Sequence, residues 1–162
     1  MLVRLRPAIQ DDAALLLVWR NEPEVIACSQ SQRAVSEDEH RAWFTRMLTP
    51  DLSGTRYPAA IWIAYVDAGN VGMVRLDWCW PGLVCDISLL VTHEWRYNPA
   101  RIGWQILDLA IGEASRVHCR GIEAVIQQSN IASRRLFTRA GFIRQSHERN
   151  DWPHYYLGLS HP

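Results

Sequence analysis

Three apolar runs with strand-like patterning, at residues 59–66, 71–78 and 83–91, succeed one another across two turn signals and lead into a long helical repeat. That order leaves few folds open. The turns are Asp67-Ala68-Gly69-Asn70 and Trp80-Pro81-Gly82, short polar or Gly/Pro clusters of the kind that reverse a chain. Residues 99–116 then repeat Ile102, Ile106, Ala110 and Leu107, Ile111, Ala114, a stripe at i, i+4 spacing that predicts a helix with one face in the core. A strand at 122–128 follows Gly121. An antiparallel meander that crosses over through a helix to a further strand requires a mixed sheet.

The flanks extend the alternation. Residues 2–5 read as a short strand stopped before Pro7, and Asp11 or Asp12 is placed to cap a helix over AALLLVWRN, ending near Asn21 and Pro23. Ser36 followed by Glu39 is a capping box, in which the serine accepts from one orphan amide and the glutamate reaches back to another. It predicts a second helix with Trp43, Phe44, Met47 and Leu48 on its apolar face. A loop is expected at 50–58, a short helix at 131–140, and a closing hairpin from 142–147 and 154–159. The expected fold is therefore α/β, a mixed-sheet βααβββαβαββ arrangement with helices on both faces, forming one domain over 1–162.

Bulk properties exclude some classes. Net charge is zero and both signs are mixed along the chain, so no basic field recruits nucleic acid. Arg134, Arg135, Arg139 and Arg144 form only a local cluster, read as a solvated helix face. Cys28, Cys79, Cys85 and Cys119 are scattered without a C-x-x-C pair and read as reduced, small apolar residues rather than a disulfide framework or zinc site. The six histidines show no metal-ligand spacing, so no metal is expected. Without a signal-like start or a run of roughly 18 apolar residues, the expectation is a soluble, cytoplasmic protein with no membrane partner. Eight tryptophans are many for this length and leave room for a patch serving dimerisation or a ligand.

The order of elements, with Asn130-Ile131-Ala132-Ser133, Leu136-Phe137 and Ala140-Gly141-Phe142, resembles the GNAT N-acetyltransferase superfamily over nearly the whole chain. Leu5 to Ala8, Trp19-Arg20-Asn21, Glu39-His40 and Trp43-Phe44 resemble two of its branches, one acting on nucleotide-linked amino sugars and one on the N-termini of ribosomal proteins. Gly72-Met73-Val74-Arg75-Leu76-Asp77 and Asp86-Ile87-Ser88 lean toward the first. The resemblance implies acetyl-CoA as cofactor, bound where the sheet splits between strands four and five. It further implies that backbone at Leu89, Leu90 and Val91 pairs with the pantetheine arm and that one amide supports the oxyanion of the reaction.

In such families the helix after strand four opens with R/Q-x-x-G-x-G/A, so that bare amides and the helix dipole meet the diphosphate. The matching residues are Arg96, Tyr97, Asn98, Pro99, Ala100 and Arg101, leading into Ile102. Arg96 is retained, but both small positions are gone. Pro99 lacks an N–H and Arg101 adds a long side chain. One reading keeps the helix start as an anion site with Arg96 and Arg101 supplying charge-assisted bonds. The other makes Asn98 an N-cap and Pro99 a first helical residue, which spends the site on starting a helix. A non-catalytic domain that binds a metabolite or a protein partner is the alternative that follows from the second.

For the chemistry, a lysine-like amine with a pKa of ~10.4 must lose a proton before or during attack. Asp86 is the first candidate base, with a structural ion pair to an arginine such as Arg75 as its other reading. His93 is the second candidate, against a reading as a solvated loop residue. The resemblance puts Asn130 and Ser133 on the cofactor arm, where a plain N-cap is the alternative. It puts Phe137 where relatives often carry a tyrosine that protonates sulfur. Phenylalanine cannot donate, and Tyr155 or Tyr156 would replace it only if the last strand faced the cleft. Trp19, Arg20, Asn21, His40, Trp43 and Arg75 match the acceptor wall, where aromatic faces and arginine suit a sugar nucleotide. The acceptor is expected to be a small-molecule amine or a peptide N-terminus.

Overall fold

A computed structural model describes residues 1–49, 59–145 and 151–160. The loop expected at 50–58 and His147 at the end of the expected sixth strand lie outside them. The chain opens with β1 (Arg4–Pro7), a 3-10 turn (Gln10–Asp12), α1 (Ala13–Arg20), α2 (Pro23–Ala27) and α3 (Glu37–Leu48). The meander is β2 (Ala59–Val66), β3 (Gly69–Asp77) and β4 (Val84–Val91). A second 3-10 turn (His93–Trp95) leads to α4 (Ile102–Arg116), β5 (Gly121–Val125), α5 (Ile131–Arg139), β6 (Ile143–Arg144) and β7 (His154–Gly158). The order matches the expectation except for α2, a helix of five residues that begins on Pro23. Proline at the first helical position costs no hydrogen bond, so the residue that ends one helix starts the next.

Among the described residues, seven strands form one sheet in the order β1-β2-β3-β4-β5-β7-β6. Only β4 and β5 run parallel, so the sheet is mixed as expected. β1 begins two residues later than read from sequence and runs through Pro7, which stands opposite Trp62. The proline is tolerated because β1 is an edge strand and needs no donor on its outer side. Among the described residues, no helix is long and apolar enough to cross a membrane.

Two apolar layers sandwich the sheet. On one side α1 and α3 bury Leu16, Trp19 and Phe44 against Ile61 and Ile63 of β2. On the other, Ile102, Ile106, Leu107, Ala110 and Ala114 of α4 pack with Phe137 of α5 on the larger core. The capping box forms as the sequence predicts, with Ser36 Oγ accepting from the Glu39 amide at 3.2 Å and Glu39 accepting from the Ser36 amide at 3.1 Å. Asp12 acts differently. It sits at the start of α1 but makes no cap bond to that helix. Instead it takes both guanidinium nitrogens of Arg6, at 2.7 and 2.8 Å, and the Ile9 amide at 2.8 Å, tying the end of β1 to the helical layer.

Two expectations about stability follow. A Cβ at Gly72 would lie 2.2 Å from the Leu90 carbonyl oxygen, so β3 approaches β4 there more closely than a side chain allows. Gly72→Ala should cost about 1–3 kcal/mol and lower Tm by roughly 3–10 °C in a thermal melt. The Arg6 hydrogen bond, with help from the Ile9 amide, holds the Asp12 carboxyl below its usual range. Its stabilisation is then complete above the unfolded carboxylate pKa of about 3.9 and is lost as pH falls toward the lower folded value. Urea titrations of the protein and of Asp12→Asn should differ at pH 6, and the difference should shrink as pH falls below the unfolded carboxylate pKa of about 3.9.

Candidate active site

Backbone geometry makes the site before any side chain is counted. β4 pairs with β5 only at Val84, Cys85 and Asp86, opposite Gly121, Ile122 and Glu123. Beyond Asp86, β4 continues to Val91 on the β3 side alone. β5 meanwhile turns its hydrogen bonding toward β7, with Ile126 and Gln128 donating to Pro153 and Asp151. The strands therefore part, and the edge from Ile87 to Val91 is left without a β5 partner. A cleft of about 1300 Å³ fills the opening, and Leu89, Leu90 and Val91 line it.

One end of this cleft is the start of α4, and here the sequence reading needs correction. The helix begins at Ile102 rather than Pro99, and Asn98 is not its cap. The Asn98 side chain accepts from the Ala100 amide at 2.9 Å, folding 98–101 into a turn that stands before the helix. Arg101 takes the cap position in the left-handed conformation, φ 55°. The proline thus removes no amide from the helix start. Gln105 donates to Arg101, while the amides of Ile102, Gly103 and Trp104 have no hydrogen-bond partner among the described residues. Three bare N–H groups at the positive end of a 15-residue helix suit an anion. Gly103 allows that end to sit close, since its Cβ would meet Val91 and Leu136 at 3.4 Å.

Side chains at this end are basic. Arg101, Arg135 and Arg139 line the cleft with Ile102, Ser133 and Phe137, and exposed Tyr97 stands at the rim. Asn130 lines it too, and also caps α5 by accepting from the Ser133 amide at 3.1 Å. Arg96 also lines the cleft, and its guanidinium pairs with Glu22 and Glu24 and donates to the Val91 carbonyl. The loop thus uses Arg96 to fasten α2 to the end of β4. Residues Asn98 and Ala100 support the turn without lining the cleft.

The opposite end is acidic. In register across three strands, Asp77 stands beside Asp86, and Asp86 beside Glu123. Arg75 does not pair with Asp86. It reaches Asp77 on its own strand at 2.8 Å and lies over the Trp43 ring at 5.4 Å. Glu123 pairs with His154 at 2.9 Å. Asp86 makes no ion pair among the described residues and faces the cleft. Partial burial raises its pKa first, and the charges of Glu123 and Asp77 raise it further, against His154 and Arg75. Asp77 and Glu123 were missed as site residues. The turn Trp80-Pro81-Gly82 held the signal, because an antiparallel register about it sets Asp77 opposite Asp86.

The acceptor wall is partly as expected. Trp19, Arg20, His40, Trp43 and Arg75 all line the cleft, whereas Asn21 does not. Asn21 bonds both the amide and the carbonyl of Val35 at 2.8 Å, holding the end of α1 to the segment before α3. His40 is buried and stacks on Phe44, with its centroid 5.8 Å away. Burial lowers its pKa, the bond to the Ala13 backbone opposing, and Nε2 has no partner. Arg20 bonds Ser31 at 2.7 Å and leaves Nη1 buried without a partner. His93 lies outside the cleft, exposed and paired with Glu24 at 3.3 Å. Neither tyrosine of β7 lines the cleft: the Tyr155 hydroxyl accepts from Arg134 at 3.1 Å, and Tyr156 lies over Gly121. Phe137 packs edge-on against Phe142 at 4.9 Å.

Comparison with known proteins bears on this architecture. A family model described as an acetyltransferase (GNAT) domain matches residues 3–143. No curated protein matches the chain in sequence. Among solved structures, a domain from Methanocaldococcus jannaschii superposes with a TM-score of 0.80 at 21% identity, covering 97% of this chain and 98% of that one. AAC(6')-Ib, in complex with paromomycin and acetyl-CoA, gives 0.78 at 16% identity, covering 98% and 94%. Spermidine N-acetyltransferase from Vibrio cholerae, in complex with CoA and spermine, gives 0.77 at 11% identity, covering 96% and 95%. With the family model spanning most of its length, the chain belongs to the GNAT acetyltransferase family.

Proposed function

We propose that the protein transfers an acetyl group from acetyl-CoA to a primary amine, with the cofactor entering over α4 and α5 and the acceptor meeting it from the α1 and α3 side. The observation that carries this reading is the open edge of β4 beside the bare amides of α4. The Ile87–Val91 edge would hold the amides of a pantetheine arm as an added strand does. The amides of Ile102, Gly103 and Trp104 would take the diphosphate, with Arg101 and Arg135 adding charge. Acetyl-CoA, when bound, supplies an acetyl group activated as a thioester.

Asp86 would accept the proton that the acceptor ammonium must lose. A carboxylate with a raised pKa is a better match for that task than an ordinary one, because taking the ammonium proton is then less far uphill. Asp77 and Glu123 would draw a cationic amine toward Asp86 and keep the field there negative. Half-buried Trp43 offers an aromatic surface to a ring, and the Arg20 nitrogen without a partner among the described residues offers a charge-assisted bond to an anion. That combination supports the amine of a nucleotide-linked amino sugar as acceptor. A protein N-terminus is the second reading, supported by the acidic row, which asks only for a cation.

Titration calorimetry with acetyl-CoA should give micromolar binding, and no heat at millimolar cofactor would leave the non-catalytic alternative. Arg101→Glu should weaken binding about tenfold, whereas Arg101→Gly, which suits the left-handed backbone, should weaken it less. With an amine acceptor in hand, Asp86→Asn should lower kcat by about 10²–10⁴ at unchanged acetyl-CoA affinity. The acid limb of kcat/KM, where Asp86 protonates, should lie above the ordinary aspartate range and vanish in the variant. Turnover of amino-sugar nucleotides against N-terminal peptides would choose the acceptor.

A further inference from the structure

Three of the four cysteines, Cys79, Cys85 and the distant Cys119, meet at the closed end of the strand split. Cys79 follows β3, Cys85 lies in β4, and Cys119 stands between α4 and β5. The Cys119 and Cys79 sulfurs are 3.7 Å apart, and Cys85 Sγ lies 3.6 Å from the Gly121 carbonyl. Among the described residues no group is arranged to hold a metal, so the sulfurs face each other rather than a common centre.

Access differs among the three. Cys85 and Cys119 are wholly buried, while Cys79 is half-buried and opens onto a cavity of about 130 Å³ lined by Trp62, Glu113, Arg116 and Val117. Freedom to move differs as well. Cys85 is fixed in the middle of the sheet, paired through β4 with strands on both sides. Cys79 and Cys119 sit in irregular connections, each directly after a residue in the left-handed region, Trp78 at φ 63° and His118 at φ 59°. Strained backbone of this kind can relax when its neighbour shifts. Closing 3.7 Å to a bond of about 2.0 Å therefore falls to these two connections. Acidity follows the same division. Hydrogen bonding from Cys85 chiefly, and from Cys119, lowers the Cys79 thiol against the effect of its burial. Burial first, and then the neighbouring Cys79 charge, raises the Cys119 thiol.

We propose that Cys79 and Cys119 form a reversible disulfide site, Cys79 being the sulfur that a peroxide oxidises and Cys119 the one that resolves it. The Cys79 thiolate attacks a peroxide oxygen and the O–O bond breaks, leaving a sulfenic acid on Cys79 and, after protonation, one water. The Cys119 sulfur then displaces the hydroxyl, forming the S–S bond and releasing a second water. Two thiols give up two electrons and two protons, and the peroxide takes both. The bond links the β3–β4 connection to the α4–β5 connection. These are the segments already joined by Gly82 to His118 at 2.8 Å and Arg120 to Leu83 at 2.7 Å, so it ties the hinge from which the cleft opens.

The test is peptide mapping of the full-length protein, reduced, desalted, treated with hydrogen peroxide and then alkylated. The expected result is a peptide pair joining 76–96 to 117–120, lighter by two hydrogens, with fragmentation assigning the bond to Cys79 and release by dithiothreitol. Cys85 and Cys28 should remain alkylated. Cys79→Ser, at a half-buried position, should abolish the pair and leave Cys119 alkylated. Cys119→Ser should leave a sulfenic acid on Cys79 that dimedone traps. A link through Cys85 or Cys28, or Cys79 and Cys119 both still alkylated after the peroxide treatment, would overturn the proposal.

Discussion

β4 and β5 share three register positions and then separate, and the remaining features of the cleft depend on where that pairing stops. A parallel pair can be pried apart only if both strands find other partners for their backbone. β4 keeps β3 on its far side, and β5 hands its last donors to the segment before β7. The sheet stays cohesive while one internal edge goes unpaired, which in water would invite unwanted strand addition. Here the edge lies in the cleft, between the helical layers on the two faces of the sheet.

The two ends of the cleft carry opposite charge although the chain as a whole is neutral. Arginines of α5 and of the turn before α4 stand at one end, and carboxylates from three strands stand at the other. Under the proposed function, such polarity would orient a donor with phosphates and an acceptor with an amine before either touched the centre. It arises from sheet register rather than from sequence proximity, since Asp77, Asp86 and Glu123 are brought side by side by two different pairings.

Much of the fold was legible because periodicity and turn chemistry are local. The capping box at Ser36, the stripe on α4 and the two hairpin turns each declared an element within a few residues. What escaped depended on distant partners. Asp12 looked like a cap and serves an ion pair with Arg6. Asn98-Pro99 looked like a helix start, but the Asx-type bond to Ala100 closes a turn first and delays the helix to Ile102. The candidate site was legible in its β4 and acceptor-wall residues. Asn21 and His93 were named for chemistry, yet they lie outside the cleft and their side chains fasten neighbouring segments, while Arg96 lines the cleft and fastens α2 as well. The cysteines read as unrelated because nothing in sequence brings Cys79 to Cys119.

The turn at 98–101 has a consequence for the thermodynamics of whatever anion docks on α4. Loops that cradle phosphate are commonly rich in glycine, and such loops are ordered by their ligand at an entropic cost. Here proline restricts φ, Asn98 ties Ala100, and a bulky residue occupies the left-handed position. Few conformations are left to lose on binding. The cradle is preorganised, so its ligand should associate with a smaller unfavourable entropy than a glycine loop would impose, and the backbone strain at Arg101 is already present in the free protein.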